Sequence, residues 1–451
     1  MSSIAPAEEI DEAKEREHFR AVVNAFKYYK LCSLDRIHKS ENIISMLPAS
    51  HHKRLEKYRT YLTKFKRCLD ANNSIVHLII KDVDTMFENV DHSGATTSNG
   101  TESFGCNYSN CEIPKQQQHK MQHDVEKVSA TSEFKQCLDA NNSIVHLIIK
   151  DVDTMFENVD HSGATTSNGT ESFGCNYSNC EIPKQQQHKM QHDVEKVQSV
   201  LKNIVRDWSE AGAAEREQCY KPILDELDYR YPAEEFSDRS HIKVLVPGAG
   251  LGRLAWEVAA KGYCCQGNEF SLFMLFASNF ILNKCPEANK HTVYPWVHQY
   301  VNHLTSEHQI QAATFPDVPP TTRLSHFSIA AGDFLKVYTE MDEWHCVATC
   351  FFIDCAPNVI EFIERIYAIL RPGGYWINLG PLLYHYSDMP TESSIEPPYD
   401  ILLEIIKDVG FEILKEKTGV KTKYAQNPNS MMQHEYNSVF FVCRKPDLVN
   451  F

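Results

Sequence analysis

From residue 241 onward, short runs of apolar and β-branched residues alternate with helical stretches, and the first run, VLVPGAGLGRL at 244–254, ends in three glycines at alternate positions. Such alternation is the signature of βαβ units, and so of a parallel sheet with helices on its faces. Candidate strands fall at 243–247, 263–267, 326–330, 346–353 and 374–379, and helices at 251–261, 270–283, 357–370 and 399–409. A last pair of runs, around 411–416 and 438–444, has hairpin spacing, with Val439, Phe441 and Cys443 alternating. Five strands alternating with helices and then a hairpin describe a doubly wound, Rossmann-like α/β sheet with a late antiparallel strand.

The glycines say what the first turn is for. Gly248, Gly250 and Gly252 carry no Cβ, so a ligand can approach the backbone, and the helix that follows offers free N–H groups. Glu269 closes the next strand, where an acid can accept hydrogen bonds from a ribose diol. Dinucleotide sites prefer G-x-G-x-x-G around a pyrophosphate. Here the spacing is G-x-G-x-G, and no basic residue stands in the turn before Arg253. That favours S-adenosylmethionine, which has no phosphate, and with the terminal hairpin it favours a methyltransferase sheet over a nicotinamide oxidoreductase. Asp333 (in AAGDF) and Asp354 (in FFIDCAPN) follow the third and fourth strands, the first placed to face an adenine and the second to meet an acceptor. Each could equally be the N-cap of the next helix. The turn Pro372–Gly374 leads into the fifth strand, and His385 lies just past it, with a structural role as open as a catalytic one.

The first 240 residues read as helical. Phe19, Val22, Val23, Phe26 and Tyr29 form one helix face, and 198–212 forms another helix around Val200, Ile204 and Trp208, with Gly212 as its expected C-cap. Pro222 is placed to begin a further turn. Between these helices residues 68–128 recur identically as 137–197, and the match extends back to Phe65 and Phe134 with one difference, Arg67 against Gln136. Two copies without drift indicate a recent tandem duplication or a doubled exon, not a solenoid. Each copy opens with an amphipathic stripe (Val76, Ile79, Ile80, Val83 and Phe87 in the first) and continues as a polar loop. One groove accepts one helix, so one copy is expected in place and the other looped out. Within the loop Cys106, Cys111, His119 and His123 have the residue types of a zinc site. Their inner gap is too short and too polar for a finger, so no metal is expected.

Composition removes several classes of function. A net charge of −15 argues against a nonspecific nucleic-acid surface, and the duplicated block supplies five of those charges. The N-terminus has no basic and apolar leader pattern, and the longest apolar run, 270–282, is too short for a bilayer. Fifteen cysteines without secretory context suggest reduced thiols, hence a cytoplasmic protein, with the nucleus also open.

Taken together, EREHFRAVVNAFKYY, VRDWSE, LVPGAGLGRLAWEVAAKGYCCQGNEFS, YPWVHQ, ATCFFIDCAPNVIEFI, WINLGPLLYH and FFVCRKP closely resemble the carnosine N-methyltransferase family. The resemblance covers the chain outside the second copy, and GPLLYH and YPWVHQ are far more specific than the glycines. It implies a class I S-adenosylmethionine methyltransferase sheet with a helical N-terminal region, and methylation of an imidazole nitrogen of carnosine to give anserine. By motif it implies cofactor contacts at Arg206, Gly248, Glu269, Asp333, Phe334 and Cys350, and dipeptide contacts at Asp354, His385 and Tyr436. Asn203, Gly250 and Gly252 are expected to join these cofactor contacts, although Asn203 stands where the family often has Gln, and Val246 and Pro247 stand where many methyltransferases carry an acid. The expected layout is an N-terminal helical region (1–67), the duplicated segment (68–197), a lead-in contributing to the cofactor site (198–240) and the methyltransferase domain (241–451). The partner expected is the dipeptide, with no nucleic acid and no membrane; a homodimer stays open. So do a protein-histidine or other small acceptor, and a binding protein without activity.

Overall fold

The computed structural model describes residues 5–81, 83, 184–320, 324, 326–387, 389 and 394–447. The chain divides into a unit of residues 17–81 with 173–451 and another of residues 1–16 with 82–172; the description below concerns the first. Its centre is a seven-stranded sheet ordered β5-β2-β1-β6-β7-β9-β8. The strands are β1 (Lys243–Pro247), β2 (Cys264–Glu269), β5 (Phe327–Ala331), β6 (Trp344–Cys350), β7 (Leu370–Gly380), β8 (Glu412–Thr422) and β9 (Tyr436–Arg444). All neighbours are parallel except β9, which runs antiparallel to both β7 and β8. The crossover direction reverses between β1 and β6, so the loops after these strands open the crevice where α/β sheets bind ligands. A separate two-stranded ribbon, β3 (His291–Val293) with β4 (Ala313–Phe315), decorates the excursion between β2 and β5.

Two expected boundaries move. The run 346–353 stops as a strand at Cys350, because Phe351 takes a left-handed backbone (φ 54°) and turns the chain into the short 3-10 turn Ile353–Cys355. Pro372–Gly374, read as a turn before the fifth strand, lies inside β7, which begins at Leu370 and absorbs the glycines as an irregularity in its pairing with β6.

The helix Leu272–Lys284 explains the long apolar run. Its sequence LFMLFASNFILNK is apolar all round, which suits a helix buried on opposite faces. Phe273 and Phe276 stack against Phe26 and Phe19 of the first helix, Ala5–Ser45. On the other side, Leu282 and Ser278 stand 3.1 and 3.5 Å from where a Cβ on Gly252 would project. The N-terminal helix is thus packed, through one intervening helix, onto the glycine turn. Of the face expected for it, Phe19, Val22, Phe26 and Tyr29 are buried and Val23 half-buried.

The duplication resolves into a composite. The helix Glu56–Ile80 takes its second half from the head of the first copy, with Leu69, Ile75, Val76 and Ile79 buried and Ile80 half-buried. The lead-in helix Lys184–Trp208 begins in the tail of the second copy, with Val194 and Val197 fully buried. Each of these two helices draws on one copy, and the expected divisions after residues 67 and 197 both fall inside continuous helices. Phe87 and the Cys106/Cys111/His119/His123 pattern lie outside the described residues. Asn72, in the head, is buried and fully engaged. Its Nδ2 donates to the Tyr29 hydroxyl (3.1 Å) and the Tyr294 carbonyl (2.9 Å), and its Oδ1 accepts from the Tyr294 amide (2.7 Å). The YPWVHQ stretch is therefore pinned. Trp296 and Val297 are buried, and Tyr29 and His298 share a 2.7 Å hydrogen bond; burial pushes the His298 imidazole down to about 3, so it stays neutral.

The lead-in helix ends at Trp208 rather than at Gly212. Gly212 closes a 3-10 turn, where a Cβ would sit 2.2 Å from the Arg206 carbonyl oxygen. A buried ion cluster holds this end in place. Asp317 accepts from Arg253 Nη1 (2.5 Å) and Arg216 Nη2 (2.6 Å), all three side chains being about nine-tenths buried. Arg216 also donates to the carbonyls of Arg206 and Ser209, and Arg253 lies over the Trp208 ring while donating to the Asp207 carbonyl. Among the ten described cysteines none is paired, and no helix of the described residues is long and apolar enough to cross a membrane.

Two outcomes follow. Asp317→Ala strands two buried guanidinium groups and should lower unfolding free energy by about 3–5 kcal/mol in denaturant titration; a loss below about 1 kcal/mol would show that the cluster is solvated. A chain lacking 129–197 still contains one head and one tail, so its stability should match the full chain within about 0.5 kcal/mol.

Candidate functional site

The glycine turn runs from β1 into the helix Arg253–Ala260 with Gly248, Gly250 and Gly252 all at positive φ (66°, 56° and 81°). The three are not equivalent. A Cβ on Gly248 would stand 2.5 Å from the Phe352 ring, so that glycine exists for packing. A Cβ on Gly250 would meet only one atom within 4 Å, Asp207 Oδ2 at 4.0 Å. The open space of the turn lies over Gly250.

Glu269 stands at the end of β2 beside this space. Its Oε2 accepts from the Gly250 amide (2.7 Å), and its Oε1 from the amides of Phe270 (2.9 Å) and Ser271 (2.7 Å). Burial raises its pKa and the three amides oppose that. Asp333, at the end of β5, caps the single turn Phe334–Val337 by accepting from the Leu335 amide at 3.0 Å, so the capping role weighed from sequence is real. The Phe334 ring is committed to the core, against Phe352, Phe362 and Tyr338; what it can offer a ligand is its backbone.

Arg206 comes from the last turn of the lead-in helix and is buried. Its Nη1 donates to Asp207 Oδ1 (2.7 Å) and the Tyr220 hydroxyl (2.6 Å), and its guanidinium lies over the rings of Tyr220 and Tyr424. Its Nε is buried without a partner, 3.9 Å from Glu215. Asn203, one turn earlier, donates one amide N–H to the Ser199 carbonyl at 3.0 Å along its own helix, which leaves its second N–H and its Oδ1 for another partner. Cys350 ends β6 with its Sγ 3.9 Å from the Cys219 carbonyl oxygen, and burial pushes its thiol well up.

Asp354 and His385 meet. The left-handed turn at Phe351 swings Asp354 under the loop that leaves β7. There Asp354 Oδ2 accepts from the Leu383 amide (2.7 Å) and its carbonyl from the His385 amide (3.0 Å). Tyr384, just before, is also left-handed (φ 45°), a strained backbone held at the site by its surroundings. Donor atoms of Asp354, Cys355 and His385 lie within 4.8 Å of one another. Burial raises the Asp354 pKa, while the Leu383 amide and His385 oppose it. Tyr436 begins β9, with its ring edge-on to Phe351 at 5.9 Å between centroids.

The sequence reading thus brought together Arg206, the glycines, Glu269, Cys350, Asp354, His385 and Tyr436. It missed Asp207, Tyr220, Tyr424, Glu215 and Cys355. Asp207 was in plain view beside Arg206 in VRDW. Tyr424, in the β8–β9 loop, carried no sequence signal; that loop is tied back by Glu215, which accepts from the amides of Ala425 and Gln426.

The ionisable residues gathered around the crevice are five carboxylates (Asp207, Glu215, Glu269, Asp333 and Asp354), the imidazole of His385 and one guanidinium. Such a set suits a ligand that is a zwitterion at one end, carries a diol, and bears net positive charge. The open face of Gly250 and the unpartnered Arg206 Nε are the structural marks of that fit.

A family model described as carnosine N-methyltransferase matches residues 183–447. The carnosine N-methyltransferase unmet of Drosophila melanogaster is 42% identical, over 97% of this chain and 82% of its own. The carnosine N-methyltransferase of Mus musculus is 39% identical, over 99% of this chain and 92% of its own. Among solved structures, phosphoethanolamine N-methyltransferase 2 of Haemonchus contortus in complex with S-adenosyl-L-methionine is 15% identical, over 55% of this chain and 60% of that one, with a TM-score of 0.32.

Proposed function

The chain belongs to the carnosine N-methyltransferase family, and from that premise we propose how its residues serve the reaction. It transfers a methyl group from S-adenosylmethionine to an imidazole nitrogen of carnosine, leaving the methylated dipeptide anserine and S-adenosylhomocysteine. The observation that carries the residue assignment is the meeting of Asp354 and His385 from the ends of β6 and β7, in the crevice that the glycine turn and Glu269 also face.

When bound, the cofactor supplies a methyl group already activated on a sulfonium. Glu269 Oε2, with one amide on it, keeps acceptor capacity for a ribose hydroxyl. Asp333 and the Phe334 backbone would meet the adenine, Arg206 the carboxylate, and Cys350 with the glycine backbone would line the remainder. Asn203, beside Arg206 with one N–H and its Oδ1 unused by the helix bond, would add a polar contact at the same end of the cofactor.

Asp354 does the chemical positioning. An imidazole attacks through a nitrogen lone pair, so it must be neutral with its proton on the other nitrogen. Asp354 Oδ2 is engaged by Leu383, and Oδ1, which takes only a long contact from the Cys355 thiol at 4.0 Å, is the atom that would accept that N–H. It thereby fixes the tautomer and balances the positive charge that grows on the ring as the new bond forms, as a buried Asp does for the histidine of a hydrolytic triad. The Leu383 amide keeps the carboxylate aimed. His385 and Tyr436 flank the acceptor and hold it in line, where orientation is worth up to roughly 7–11 kcal/mol.

Asp354→Asn presents an amide where an acceptor is needed and should lower kcat about 10³-fold, with binding of S-adenosylhomocysteine unchanged. Methyl transfer from labelled S-adenosylmethionine to carnosine checks the first and calorimetry the second. Product formed at more than a tenth of the wild-type rate would remove Asp354 from this role. Asp354 must be ionised, and its pKa is raised, so activity is full above that pKa and is lost as pH falls through it. The acceptor imidazole, with an ordinary pKa of about 6.5, gives a second acid limb to kcat/KM. The log profile should therefore steepen from slope one to slope two at low pH in the wild type and stay at slope one in Asp354→Asn.

A further inference from the structure

We propose that Asp207 receives the α-ammonium group of the cofactor's amino-acid end, so that the adjacent pair Arg206–Asp207 reads the whole zwitterion. The proposal rests on the cofactor assignment above and goes beyond it, because the glycine turn itself brings no acid: Val246 and Pro247 end β1. The missing charge comes instead from the lead-in helix.

The geometry separates the two oxygens of Asp207. Oδ1 accepts both from Arg206 Nη1 (2.7 Å) and from the Tyr220 hydroxyl (2.8 Å). Oδ2 takes part in neither bond and is the nearest atom to the space above Gly250, the face of the turn left open for a ligand. An Arg–Asp pair serving stability alone tends to use both oxygens in a two-pronged contact. Here the contact is one-pronged, and the carboxylate, only 2% exposed, keeps its second oxygen free of a hydrogen bond among the described residues. Oδ2 is not among the buried side-chain atoms left without a partner, so it reaches the open space over Gly250, where a primary ammonium would supply it with a charged donor.

The pair is also held rigid in the manner a recognition site needs. Arg253 fixes the Asp207 backbone through its carbonyl, Arg216 fixes that of Arg206, and the rings of Tyr220 and Tyr424 fix the guanidinium plane. Asp207 is thereby a binding residue for the ammonium and Arg206 one for the carboxylate. The two are kept from neutralising each other fully because Tyr220 shares the Oδ1 contact.

The test is calorimetric and needs no turnover. Wild type, Asp207→Asn and Asp207→Glu, all in the full chain, are titrated with S-adenosylhomocysteine and with its deamino analogue, which keeps the carboxylate and replaces the ammonium by hydrogen. Wild type should prefer S-adenosylhomocysteine by about 10- to 100-fold, the scale of a charged hydrogen bond. In Asp207→Asn that preference should fall to about threefold or less, mainly through weaker binding of the amino ligand. In Asp207→Glu, which keeps the charge and gives a second variant should the first not fold, it should lie between the two. Equal loss for both ligands, or an unchanged preference, overturns the proposal and leaves Asp207 as a support for Arg206. A wild type that binds both ligands alike overturns it while sparing the cofactor assignment. A wild type that binds neither overturns both.

Discussion

Asp317 joins two guanidinium groups, and the cofactor end of the molecule is organised by that junction. Arg253 opens the helix after the glycine turn, Arg216 belongs to the short helix after the lead-in, and Asp317 lies beyond β4 in the excursion that the N-terminal helices clamp. Three segments distant in sequence thus share one buried charge centre. Its cost in desolvation is met because every arm is also a hydrogen bond or a ring contact: Arg216 to two carbonyls, Arg253 to a carbonyl and the Trp208 face. Since the Arg206 and Asp207 carbonyls are held by those same guanidinium groups, the ion cluster sets where the two side chains point.

From that frame the crevice acquires its charge pattern. Five carboxylates around one guanidinium favour a ligand with net positive charge. Burial raises Glu269 and Asp354, which by itself would tend to protonate both. Backbone amides oppose it, three on Glu269 and the Leu383 amide on Asp354. The amides cost no side-chain entropy and stay fixed as charge develops, which is the preorganised kind of electrostatic support that catalysis rewards. The left-handed residues Phe351 and Tyr384 are where the chain bends to deliver it.

Much of this was legible in the sequence, and the limits have physical causes. The glycine turn, Glu269, Asp333, Asp354 and His385 could be singled out as candidates because open parallel sheets place ligand sites at the carboxyl ends of strands, and strand ends can be read. Arg206 and Tyr436 came from the family resemblance, not from periodicity. Asp207 was overlooked because a charged residue beside an arginine reads as an ordinary helix pair. What sets it apart is the approach of Gly250 from another element, which no local pattern shows. Tyr424 lies in a hairpin loop with no pattern of its own. The strand ending at Cys350 was overextended because FFID is as apolar as a strand, and only the left-handed Phe351 ends it. Gly212 was identified as a stop, but for the wrong reason: it yields to a carbonyl rather than turning left-handed.

The duplication is tolerated for a reason contained in its own length. A tandem copy placed within one helix–loop–helix leaves the chain with the head of the first copy still joined to everything before it, and the tail of the second still joined to everything after. The buried head needs Asn72 to reach Tyr29 and Tyr294, and the buried tail needs Val194 and Val197 in phase with Ile204 and Trp208. Both phases survive, because every break in register falls between the two helices. An insertion of the same size inside either helix would shift Asn72 or Arg206 around the helix axis. The position of the repeat, more than its length or composition, is what leaves Asn72 and Arg206 on the helix faces they occupy.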